Sequence, residues 1–232
     1  MKIGFAIARV VLAIAVVAAI ISQLNQSYLN WTAGGVTNYA ISYVNFFSYF
    51  TIESNSATVV VCLIGAGLLL FRAGSADPQW FTGLRAAVVT YMTVTGIVYN
   101  LLLRGIQLEP GTTVAWSNEI LHAVAPIWML LDWFFAPGRT PLRWRAIGGI
   151  VVFPLVWVTY TLIRAPFTPN EVKGNSYWYP YPFFDPNLSP NGYLSVALYV
   201  ILIAAVIGAT AAGLVWVSRR FASPRAMVAP PR

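Results

Sequence analysis

Histidine and cysteine each occur once in the 232-residue chain, as His122 and Cys62. A single thiol excludes an internal disulfide and a multi-cysteine metal site. A single imidazole excludes bis-histidine haem ligation. A metal centre ordinarily draws on three or more protein ligands, so neither metal nor cofactor is expected. Charge is scarce too: 9% of residues are charged, against roughly 25% in an ordinary soluble domain. The chain shows no internal repeat of the kind common in transporters, and no G-x-S-x-G nucleophile motif accompanies the histidine.

What fills the chain is apolar. Hydrophobic residues make up 58% of it and the mean hydropathy is +0.68. A helix needs about 20 apolar residues to cross a bilayer, and six runs qualify, at roughly 5–22, 43–71, 84–103, 117–135, 147–164 and 193–217. The first is longer than the roughly 7–15 residues of a signal-peptide core and lacks a clean A-x-A site, so it is expected to be a retained span. The expected architecture is all-α: a polytopic bundle of six transmembrane helices over 1–220, with a disordered tail at 221–232.

The formal charge of +7 does not call for nucleic acid, because its placement has another reading. With the N-terminus inside, Lys2, Arg9, Arg72, Arg85, Arg139, Arg143, Arg145, Arg219, Arg220, Arg225 and Arg232 fall on the cytoplasmic side, and Arg104, Arg164 and Lys173 outside. That asymmetry is the positive-inside rule and puts both termini in the cytoplasm. The abundance of Arg over Lys, with much Ala and Val, is the composition of a GC-rich bacterial genome, so the expected location is the bacterial cytoplasmic membrane. The longest connection, "RAPFTPNEVKGNSYWYPYPFFDPNLSPNGY", is expected outside, either as an aromatic belt or as a lid over an outward-facing cavity.

Polar residues stand out against this background. "NFFSYFTIESNSATVVV", residues 45–61, carries Ser48, Thr51, Glu53, Ser54, Asn55, Ser56 and Thr58. At 3.6 residues per turn, Ser48, Thr51, Asn55, Thr58 and Cys62 share one stripe, with Glu53 on the opposite side. A polar stripe on a membrane helix faces the bundle interior or a wet cavity, although single Ser and Thr residues also bond to their own helix as interhelical glue. His122 lies in "WSNEILHAVAPIWMLLDWFF", with Asn118 one turn earlier and Glu119 within reach along the helix. An imidazole of ordinary pKa about 6.5 suits general base work. Counted from Tyr43 and Ser117 at about 1.5 Å per residue, Thr51 and His122 lie about 12 Å and about 8 Å in from the same side. A hydroxyl beside an imidazole is the minimum of an activated nucleophile.

"SYFTIES", "NEILHAVAPIWMLLD" and "YWYPYPF", in that order along the chain, resemble the three hallmarks of the androgen-induced/androgen-dependent family of six-span membrane hydrolases. That resemblance implies hydrolysis of fatty acid esters of hydroxy fatty acids, with Thr51 as nucleophile and His122 as base. Glu53 occupies the acidic position after the threonine, Asn118 the asparagine before the histidine, and Tyr181, Pro182 and Phe183 the Tyr-Pro-Phe of the last loop. The chain departs from the family in its loops.

On this reading the partner is a lipid or acyl-chain substrate in the outer leaflet. Orienting or oxyanion roles fall to Asn118, Glu119, Asn55, Asn100, Tyr160 and Arg164. Substrate-lining roles fall to Ser48, Phe47, Phe50, Glu53, Trp116, Tyr181 and Phe183. The competing expectation is a proton-coupled transporter or channel, in which Glu53, Glu119, His122 and the deeper Asp132 form a path across the membrane. A hydrolase requires a blind cavity and Thr51 near His122; a transporter requires a path on to Asp132.

Overall fold

The computed structural model describes residues 2–72, 75–106 and 111–221, and among them there is no strand. The expected tail from residue 222 onward, and residues 107–110 of the turn before Gly111, lie outside the described residues. Eight α-helices follow in order: α1 Lys2–Ala33, α2 Tyr39–Phe47, α3 Phe50–Phe71, α4 Gln79–Val98, α5 Ala115–Glu119, α6 Ala125–Phe135, α7 Ala146–Arg164 and α8 Tyr193–Arg220. Two π-helical turns interrupt this pattern. Tyr99–Leu103 extends α4, and Ile120–Val124 joins α5 to α6 in one rod.

Among the described residues, five helices are long and apolar enough to cross a membrane: Lys2–Ala33, Phe50–Phe71, Gln79–Leu103, Ala146–Phe167 and Tyr193–Arg220. The rod at 115–135 carries Asn118, Glu119, His122 and Asp132 and is not one of the five. The first helix is longer than the apolar run 5–22 and takes in residues up to Ala33.

The run 43–71 is not a single helix. Ser48 closes α2: its N–H donates to the Val44 and Asn45 carbonyls at 2.9 and 3.1 Å, and its hydroxyl donates to Val44 O at 2.6 Å. Tyr49 is then extended (φ −67°, ψ 127°), and α3 begins at Phe50. Thr51 therefore lies in the first turn of a new helix rather than two turns into an old one. The first N–H groups of any helix have no intrahelical acceptor, which matters for what stands beside Thr51.

α4 is the hub, packing on α3, α6, α7 and α8, while α1 makes its main contact with α3. The buried face of α1 is mostly small (Ala6, Ala13, Val16, Ala19), which lets helices approach closely where no hydrophobic driving force between them exists. Its other face, Ile3, Ile7, Ile14 and Ile21, points out, as do Leu194, Leu198, Ile201 and Leu202 of α8. An apolar exterior on this scale fits hydrocarbon surroundings. The interior is filled by Val61, Phe81, Val89, Met92, Met129, Trp133 and Val215.

At the end of the bundle where α1 begins, the interior is charged. Arg9 donates to both oxygens of Asp132 (Nε–Oδ1 2.8 Å, Nη2–Oδ2 3.0 Å), and Arg85 reaches Asp132 Oδ2 at 2.9 Å and Asp77 at 3.6 Å. Arg85 also donates to the Asp132 carbonyl. Gly65 makes this packing feasible, because a Cβ there would stand 2.5 Å from the Arg9 guanidinium. Trp133 is flanked by Arg85 and Arg139, each 5.4 Å from its ring centre. These contacts tie the start of α1 and of α4 to the end of α6, so α6 runs antiparallel to both.

Candidate active site

The reactive groups gather at the opposite end, around the first turn of α3 and the π turn of the α5–α6 rod. The π turn has a local cause. Pro126 has no N–H to give the His122 carbonyl, and Ala125 N–H bonds five residues back to Ile120 O. Such turns frequently carry functional side chains, and this one carries His122. Gly96 lets α4 close on it: a Cβ there would sit 3.0 Å from Pro126 Cβ and 3.5 Å from the His122 carbonyl oxygen.

Thr51 Oγ1 lies 3.3 Å from His122 Nε2, and His122 Nδ1 lies 2.9 Å from the Asn118 carbonyl oxygen. A carbonyl only accepts, so Nδ1 carries the ring proton and Nε2 presents its lone pair to the Thr51 hydroxyl. The Thr51 hydroxyl thus donates to His122, the orientation a general base requires. Tyr99, in the other π turn, stacks on His122 with centroids 4.0 Å apart and planes 25° apart. Asn118 also donates its side-chain amide to the Tyr99 hydroxyl. Asn118 meets the histidine through its backbone carbonyl; its side chain steadies the ring that covers the imidazole.

Asn55 is fully buried and bridges the two walls, donating to Thr51 O at 2.9 Å and Leu121 O at 3.1 Å. It holds the turn of Thr51 to the turn of His122. Ser54 adds a second tie, to Thr51 O and to Thr95 of α4, each at 3.2 Å. From the loop before α8, the Tyr181 hydroxyl completes the group. It lies 3.3 Å from Thr51 Oγ1 and accepts from Thr51 N–H at 3.3 Å.

The other residues singled out in the sequence lie further from the reactive pair. Arg164 donates to Asn45 at 2.7 Å, and Tyr160 meets Ser48, whose carbonyl accepts from Trp157 at 3.0 Å. Glu119 pairs with Arg104 at 2.8 Å on the exposed rim. Asn100 donates to Gly96 O at 2.8 Å, reaches the His122 backbone carbonyl rather than its ring at 3.4 Å, and accepts from Arg104 at 2.7 Å. Trp116 is exposed. Glu53 and Phe47 line a separate groove of about 850 Å³ between α3, α4 and α7, on the side away from Thr51. Tyr99 and Thr95 were not legible as site residues; neither a π turn nor the tilt that brings α4 against His122 leaves a mark in composition or spacing.

Thr51 and Tyr181 stand at one end of a narrow apolar slot of about 90 Å³ between α4, α7 and α8. Phe50, Phe183 and Phe184 wall it near the hydroxyls, and Val94, Pro154 and Ile207 wall it further along. Tyr181 and Phe183 stack at 5.2 Å. Between this site and Asp132 lie the buried apolar side chains of Leu121, Ala125, Met129 and Cys62, with Cys62 Sγ 3.8 Å from Met129 Sδ. A hydroxyl aimed at an unprotonated imidazole nitrogen, on the wall of an apolar slot, can attack an ester carbonyl carried on an aliphatic chain. Among the described residues there is no group of three or more His, Cys, Asp or Glu placed to hold a metal ion. Set against protein-family models, curated proteins and solved structures, the chain matches none.

Proposed function

We propose that the protein is an integral-membrane lipid esterase that hydrolyses fatty acyl esters, such as fatty acid esters of hydroxy fatty acids, with Thr51 as nucleophile and His122 as base. The observation that carries this reading is the 3.3 Å contact from Thr51 Oγ1 to His122 Nε2, with the tautomer fixed by the Asn118 carbonyl, where Thr51 lines the apolar slot. The resemblance of "SYFTIES", "NEILHAVAPIWMLLD" and "YWYPYPF" to the six-span hydrolases supports the same assignment.

In this reading the rod at 115–135 is the sixth span, and both termini lie in the cytoplasm of a bacterium. The basic ends of α3, α4, α7 and α8 sit on that side, and the site lies beneath the outer leaflet. The substrate chain lies in the slot with its ester beside Thr51. His122 Nε2 takes the Thr51 proton as Oγ bonds to the carbonyl carbon. Collapse of the tetrahedral species releases the alcohol, which takes that proton, and leaves an acyl-threonine. Water, deprotonated by His122, then attacks the acyl carbon; Thr51 Oγ leaves with the proton and the fatty acid is freed.

The transport reading needs Asp132 on a path from this site. The slot's lining includes none of Arg9, Arg85 or Asp132, and Asp132 is held by two arginines. The test is labelling of the detergent-solubilised protein with a fluorophosphonate probe, alongside hydrolysis of long-chain fatty acyl esters. Thr51→Ala and His122→Ala are expected to abolish labelling and to lower hydrolysis by at least about 10³-fold. Labelling that persists in Thr51→Ala would sink the assignment.

A further inference from the structure

The negative charge that develops on the carbonyl oxygen needs a donor, and none of the side chains proposed for that role from the sequence has a hydrogen bond to Thr51 Oγ1, whose partners are His122 and Tyr181. Asn55 spends its amide on the Thr51 and Leu121 carbonyls, Asn118 on Tyr99, Arg164 on Asn45, and Asn100 on Gly96. One hydroxyl beside Thr51 is differently placed. Resting on the esterase reading, we infer that Tyr181 is a catalytic residue whose phenolic O–H stabilises the tetrahedral oxyanion.

The resting hydrogen bonds have only one consistent direction. His122 Nδ1–H is spent on Asn118, so the Thr51 hydroxyl donates to Nε2. Thr51 Oγ1 is then the acceptor in its contact with Tyr181, whose O–H points at the nucleophile from 3.3 Å. The Tyr181 oxygen in turn accepts from Thr51 N–H in the first turn of α3, where the helix dipole makes the surroundings favour negative charge. An O–H whose oxygen accepts a hydrogen bond is a better donor.

When Oγ1 bonds to the carbonyl carbon, its proton passes to His122 and it becomes an ester oxygen, a poor acceptor. The C=O π pair moves onto the carbonyl oxygen, one carbon away from Oγ1. Tyr181 O–H then turns from Oγ1 to that oxygen without leaving its place. No proton leaves Tyr181; collapse returns the electron pair to C=O and expels the alcohol, which takes the proton from His122 and leaves the acyl-threonine. Desolvation of its hydroxyl end holds the phenol above its ordinary pKa, which keeps it a donor. The aromatic packing of Tyr49 and Phe183 on its ring, at 5.7 and 5.2 Å between centroids, fixes the ring independently of the hydroxyl.

The experiment compares wild type, Thr51→Ala and Tyr181→Phe on a long-chain fatty acyl ester and on its thionoester, in which sulfur replaces the carbonyl oxygen and accepts hydrogen bonds poorly. The expected result is a fall in kcat of about 10²–10³-fold for Tyr181→Phe, with KM within about twofold. Wild type is expected to prefer the oxo ester, and this preference to collapse toward unity in Tyr181→Phe. The ratio is independent of the fraction of enzyme folded, so a merely structural role would leave it unchanged. If Thr51→Ala is inactive while Tyr181→Phe keeps both its kcat and its oxo preference, the inference is overturned and the esterase stands. If wild type and Thr51→Ala are equally inactive, the esterase reading fails and the role of Tyr181 falls with it.

Discussion

Replacing Asp132 by Asn removes the central anion of the charged end while keeping its shape. Arg9, Arg85, Asp77 and Asp132 together carry no net charge, and the two arginines are 1% and 0% exposed. The substitution leaves one positive charge uncompensated. It also turns an amide N–H₂ toward guanidinium groups that stood 2.8–3.0 Å from carboxylate oxygens. Breaking a buried ion pair from one side typically costs about 3–5 kcal/mol. In a chain of this length about 1 kcal/mol corresponds to roughly 2–4 °C in melting temperature, so Asp132→Asn is expected to melt roughly 6–20 °C below wild type in the same detergent.

Combining Arg9→Met with Asp132→Leu restores neutrality, because Arg85 keeps Asp77, and this double variant is expected to recover most of the loss. Ester hydrolysis, measured below the melting point of every variant, is expected to stay within about threefold of wild type, since Asp132 lies ten residues and about 15 Å along the rod from His122. A melting temperature for Asp132→Asn within about 2 °C of wild type would refute the electrostatic reasoning. A folded Asp132→Asn protein that has lost hydrolysis would instead put Asp132 on the functional path.

Two further outcomes test other parts of the molecule. Ala204 lines the slot, and Ala204→Phe is expected to lower kcat/KM for long-chain esters about tenfold or more while sparing short-chain ones, read from an acyl-length series. The Glu171 carboxylate accepts from Thr37 N–H, Thr37 Oγ and Asn38 N–H at 2.5, 3.1 and 3.3 Å, and the Thr37 N–H foremost holds it below its ordinary pKa of 4.5. A depressed folded pKa means that the clamp is present above that ordinary value and is lost as pH falls through the lower folded one. Amide exchange at Thr37 and Asn38 is therefore expected to be faster in Glu171→Gln than in wild type at pH 6, and the difference to vanish in strong acid.

The sequence made some of this legible and hid the rest for identifiable reasons. Thr51, Asn55, Thr58 and Cys62 share the inward face of α3 because a four-, three-, four-residue spacing is a property of any helix, wherever it ends. The helix start was not legible. "NFFSYFTIES" reads as one apolar-flanked run, and only Ser48 bonding back to α2 while Trp157 takes its carbonyl breaks the rod before Phe50. Arg9 was counted among cytoplasmic charges, and composition could not show that it turns inward to Asp132, because its partners lie far away in sequence. Thr51 and His122 were singled out for their chemistry, and their approach to 3.3 Å depends on two non-α turns. Pro126 marks one of them; nothing in the sequence marks the other. Tyr181 was noticed as part of a motif and as a wall, and the direction of its hydrogen bond follows only once the histidine tautomer is fixed three residues away along the chain of contacts.

The charged cluster and the hydroxyl–imidazole pair occupy opposite ends of the same bundle and share no side chain. Groups separated by more than about 7–10 Å without common partners contribute to stability nearly additively, so changes along the slot draw on a reserve anchored elsewhere. On the esterase reading, selection, natural or in the laboratory, can therefore re-tailor the slot around Val94, Pro154 and Ile207 for other chain lengths without first having to compensate for a loosened fold. On that reading the scaffold is pre-adapted to diversify its substrates.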